Sequence, residues 1–70
     1  MRFIGYDLRT NNNPAETIYT LSAYRALIRI LSETCAHIAH HDDTDKRPGT
    51  VCDTFRASNG IIYTVTAYYL

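Results

Sequence analysis

From Ala15 to Arg47 the chain contains no glycine and no proline, and apolar residues return there at steps of three and four. Ile18, Leu21, Tyr24, Ile28, Leu31, Cys35 and Ile38 make up the series, with Leu27 beside it. That period is one face of an α-helix, so the stretch is expected to fold as a single long amphipathic element. Asn13, Pro14 and Glu16 supply a cap, a first-turn proline and a first-turn acid, which sets the expected start. The spacing therefore predicts a helix from about Pro14 to about His40. Ser22, Arg25, Arg29, Glu33 and His40 fall on its solvent side. Tyr19, Ala23 and Ile30 fit neither side and form an apolar flank, with Tyr19 and Ile30 as candidate partner contacts.

Strand signals lie on both sides of this helix. RFIGYDL, residues 2–8, alternates Ile4, Tyr6 and Leu8 with Phe3, Gly5 and Asp7, the first set being the better core face. After the polar loop DDTDKRPG come TVCDTFRA and IIYTVTAYYL, joined through SNG. A loop of Ser58, Asn59 and a left-handed Gly60 aligns Ala57, Phe55 and Val51 with Ile61, Tyr63 and Ala67. An Asn-Gly loop of two residues would mix polar and apolar residues on one face. The preferred register turns Asp53 inward, opposite Val65. Reaching water or a tyrosine hydroxyl near a sheet edge is its expected resolution.

The order strand, helix, strand, strand predicts an α+β fold. A three-stranded antiparallel sheet, with the last strand in the centre (order 1-3-2, a split βαβ unit), would pack on one long helix. The other sheet face would then expose Phe3, Ile62, Tyr68 and Leu70, with no second helix to cover them.

A chain of 70 residues buries only about 60% of its unfolded surface, so a second copy or another stabiliser is expected. No signal-peptide pattern and no long apolar run occurs, and Cys35 and Cys52 are the only cysteines. A single cytoplasmic domain with reduced thiols is the expectation, with no membrane partner. Seven basic and seven acidic residues balance, which gives no field for gathering nucleic acid.

HIAHHDD, residues 37–43, is the densest chemical feature. On a helix His37 and His41 would share a face at ligand spacing, while Cys35 would project onto the core side. The favoured reading is a helix terminus whose imidazoles face its exposed carbonyls, with metal as the alternative. No phosphate loop, nucleophile elbow, paired CxxC or RNA-binding signature is present, and no cofactor or small-molecule substrate is implied.

FIGYDLR resembles the first strand of small ferredoxin-like proteins of the CRISPR-associated and VapD types. Covering about a tenth of the chain, the resemblance implies a dimer-interface and metal-binding role for Asp7. It ends there, because the second helix and later strands of those proteins have no counterpart in this length.

These features together suggest a small non-enzymatic interaction module, a regulator or inhibitor, acting as a homodimer or by docking on a larger protein. Its size suits a phage or mobile-element product. Phe3, Ile62, Tyr68, Leu70, Tyr19 and Ile30 are the expected partner contacts. The alternative is a metal-dependent nuclease using Asp7, with His37 and His41 as further candidate ligands.

Overall fold

A computed structural model describes residues 1–11 and 13–70. The element order is β1 (Phe3–Thr10), β2 (Asn13–Ile18), α1 (Leu21–Thr34), β3 (Ala36–Asp43), β4 (Gly49–Arg56) and β5 (Ile62–Tyr69). All five strands join one antiparallel sheet in the order β2-β1-β5-β4-β3, and α1 packs on one face. The expected three-stranded sheet on a long helix is thus corrected to five strands and a helix of 14 residues. Among the described residues, no helix is long and apolar enough to cross a membrane.

The helix is short because both ends of the periodic stretch do better as strands. At the front, Thr17, Ile18, Tyr19 and Thr20 are β-branched or aromatic, and β2 pairs with β1, Tyr6 opposite Ile18. Thr20 is the cap residue, with an extended backbone. At the far end Thr34 Oγ1 donates to the Ile30 carbonyl at 2.7 Å, and the Cys35 amide donates to Leu31 at 2.9 Å. Cys35 itself is already extended, at φ −128° and ψ 161°. A helix continued to residue 43 would spread weak helix formers over its last turns. It would also set Asp42 and Asp43 against the negative end of its own dipole. Pairing with β4 avoids both costs.

The hairpin of β4 and β5 follows the register that the alternation predicts. Phe55 faces Tyr63, Asp53 faces Val65, and Val51 faces Ala67. Gly60 has φ +89°, and the turn is closed by Ala57 N–H to the Ile61 carbonyl at 2.9 Å.

Tyr6, Leu31, Phe55, Val65 and Ala67 are the buried core, with Tyr24, Leu27 and Ile28 of α1 packed against it. The strand alternation turns Tyr6, Leu8, Val51, Asp53, Phe55, Tyr63, Val65 and Ala67 toward the helix. Phe3 joins them. A register shift between Phe3 and Gly5 swings its ring between Tyr24 and Tyr69, with centroids 5.5 and 5.8 Å away. Phe3 therefore belongs to the helix side, which corrects its expected place on the outer face. That outer face carries Asp7, Arg9, Cys52, Thr54, Ile62, Thr64, Thr66 and Tyr68, and no second helix covers it among the described residues.

Candidate functional site

Two carboxylates organise the polar chemistry of the sheet, one on each face. On the helix side, Asp53 of β4 is 7% exposed and sits among the core residues. Leaving such a group unpaired would cost several kcal/mol in desolvation, so donors must reach it. They come from β3. His40 lies directly across from Asp53, and its Nδ1 is 2.6 Å from Asp53 Oδ1. His37 Nε2 reaches the same oxygen at 2.8 Å.

The second contact depends on a β-bulge. Residues three apart on a regular strand point to opposite faces. Here the register shifts between His37 and Ala39, so that His37 pairs with Phe55 while Ala39 pairs with Thr54. Ile38 is the extra residue, and both histidines emerge on the Asp53 side. The His37 ring then stacks on Phe55, 4.6 Å between centroids at 17°, while the His40 ring stands edge-on to it at 6.1 Å. The hydrogen bond to Asp53, its negative charge and the nearby Asp42 hold the His40 imidazole above its ordinary pKa, against a smaller opposing effect of desolvation.

On the open face, Asp7 of β1 accepts from Thr17 Oγ1 at 2.6 Å and from the Tyr68 hydroxyl at 2.8 Å. That hydrogen bond, and then burial, push the Tyr68 hydroxyl above its ordinary pKa. His41 also points to this face, opposite Cys52, with β4 and β5 between it and β1. Three strand spacings separate Asp7 from His41, about 14 Å. The structure therefore does not bring Asp7, His37 and His41 together. The helical spacing that paired His37 with His41 is replaced by a bulged strand that pairs His37 with His40. Asp42 is engaged in its own turn, accepting from the Thr44 amide at 3.0 Å and hydroxyl at 2.7 Å, which lowers its pKa. Cys35 is a partly buried neighbour of the core, away from these groups.

The expected partner contacts are dispersed. Ile62 and Tyr68 lie half-buried on the open face. Leu70 is 51% exposed, and its backbone exchanges two hydrogen bonds with Arg2. Tyr19 precedes the helix instead of flanking it, and its exposed ring lies over Gly5. Ile30 is exposed on the helix itself.

Sequence reasoning missed His40 as a partner of Asp53, having placed it on the solvent side of a helix. The inward turn of Asp53 was the available signal, since a buried carboxylate requires donors and the histidine run is the richest local supply. No family model, curated protein or solved structure matches this chain.

Proposed function

We propose that the protein is a small interaction module that associates with a second copy of itself through the open sheet face. Regulation or inhibition of a larger protein by docking is the role in which such a module would act. The observation that carries this reading is the uncovered face itself. Four of its strands, β1, β3, β4 and β5, are eight residues long. At about 3.3 Å per residue and about 4.8 Å between strands, five strands present on the order of 600 Å². Two such faces bury roughly 1,200 Å², the lower bound of a stable pair.

The chemistry of the patch supports the same reading. Ile62, Thr64, Thr66, Thr54, Cys52 and Tyr68 are mostly β-branched or aromatic, and Asp7 is already satisfied by two hydroxyl groups. Covering these groups strips little polar surface of water, while the exposed Arg9 and Arg56 on the same face would need acceptors from the second copy. Sedimentation of the full chain tests the proposal. The wild type is expected to sediment as a dimer, and Ile62→Lys combined with Thr66→Lys as a folded monomer. Ile30→Lys, on the helix, should stay dimeric. A wild type that sediments as a monomer at high concentration overturns the reading.

A further inference from the structure

The histidine pair and Asp53 are more than a way of satisfying a buried carboxylate, and we propose that they form a binding site for a divalent first-row transition ion of the Zn²⁺ class. His37 Nε2, His40 Nδ1 and an Asp53 oxygen lie within 4.8 Å of one another. Two nitrogens and one carboxylate oxygen are a donor set that such ions accept and that Ca²⁺ or Mg²⁺ does not favour. Bonds of about 2.0–2.1 Å place ligand atoms on a tetrahedral ion roughly 3.3 Å apart. Reaching that spacing asks the rings to draw back from Asp53 by less than about 1 Å and to release the protons that now face it.

The architecture assigns the movement to the right partners. Asp53 is fixed in the interior of the sheet, its side chain 10% exposed, while the side chains of His37 and His40 are 45% and 53% exposed. An ion can therefore enter from solvent past the histidines and meet an anchored carboxylate. The stack on Phe55 holds the His37 ring with Nε2 toward Asp53, which restricts the geometry before any ion arrives. Three protein ligands leave a fourth position, on the solvent side, for water or a small ligand.

The bulge at Ile38 is the independent observation. A regular strand would send His37 to the opposite face, where it could contribute nothing to this cluster. Bulges that re-aim a side chain are a feature of functional positions in sheets. An apolar residue of similar volume at position 53, facing Val65, would fill the core without any histidine, so the carboxylate is the costlier choice at that point.

The test is calorimetric titration of chelator-treated full-length protein with Zn²⁺, with Co²⁺ as a second probe read by its visible absorption. One ion per chain is expected, with the spectrum of a four-coordinate Co²⁺ site. His37→Ala and His40→Ala should each weaken binding by about tenfold or more. His41→Ala, on the other face, should leave it unchanged. Asp53→Asn should also weaken it; because that variant disturbs the interior, the two exposed histidine variants keep the test decisive if it fails to fold. Absence of stoichiometric binding, half an ion per chain, or loss of binding in His41→Ala instead of in His37→Ala and His40→Ala would overturn the proposal.

Discussion

Asp7 and Asp53 occupy comparable places, each inside a strand and each accepting two side-chain hydrogen bonds, yet they are supplied by different chemistry. Asp7 takes hydroxyl protons from Thr17 and Tyr68 on the open face. Asp53 takes imidazole contacts from His37 and His40 on the helix side. Hydroxyls are sufficient where only a charge needs satisfying, and neither is a strong neutral ligand at physiological pH. Imidazoles do the same job as N–H donors, and once the nitrogen facing the carboxylate gives up its proton it presents a lone pair that a metal can claim. The difference teaches that satisfying a carboxylate and building a ligand set are separable tasks, and that this fold does one on each face.

The strongest way to break the contrast is to remove what orients the helix-side cluster. Phe55 is 1% exposed and carries the His37 ring. Phe55→Ala should cost about 3–5 kcal/mol, enough to unfold much of so small a domain in a urea titration. Replacing the carboxylates comes next. Asp53→Ala leaves two imidazoles without their acceptor and opens a small space, and should cost about 1–3 kcal/mol. Asp7→Ala, at a half-exposed site whose hydroxyl donors can turn to water, should cost no more than about 1 kcal/mol by the same measurement. Equal losses at the two positions would contradict the division of roles.

A further test concerns the hairpin that turns Asp53 inward. Gly60→Ala meets no neighbouring atom within 4 Å but must hold φ +89°, so its expected cost of about 1 kcal/mol is conformational. A neutral result would put the left-handed turn in question, and with it the register that separates the two faces.

The smallest effect is a matter of pH. In the metal-free protein His40 should titrate above its ordinary value, chiefly through the hydrogen bond to Asp53, and Asp53→Asn should bring it back down. Histidine proton shifts followed by NMR would read both. A pKa raised in the folded state means that the folded form holds the proton more tightly. The associated stability is fully present below the unfolded value near pH 6.5 and is lost as pH rises through the folded one. Zn²⁺ binding runs the other way, strengthening as protons leave the imidazoles.

The β4–β5 register is legible in the sequence because turn chemistry and alternation agree on one answer: Gly60 can take the left-handed turn, and the apolar sets then face each other. The helix boundaries are not. Ile18, Cys35 and Ile38 continue the helical period by coincidence, and Asn13–Pro14–Glu16 imitates a helix start. What decides their state is pairing with β1 and β4, which no local window contains. The site shares this fate. Asp53 stands out as a violation of the hairpin pattern, but His40 becomes its partner only once residues 36–43 are known to be a strand. His37 joins only if that strand carries an extra residue.

The extra residue also bears on how far association can proceed. A sheet with two free edges risks growing without limit, strand upon strand, into an open fibre. At one border the kink at Ile38 and the acids at Asp42 and Asp43 spoil β3 as a template, and at the other Pro14 removes an amide donor from β2. Both features disfavour lateral growth, which agrees with the proposed association through the flat face. Two faces that cover each other are then both used up. In the proposed dimer the assembly would close at a pair, with the half-exposed histidines of each copy, on the helix side of the sheet, left open to solvent.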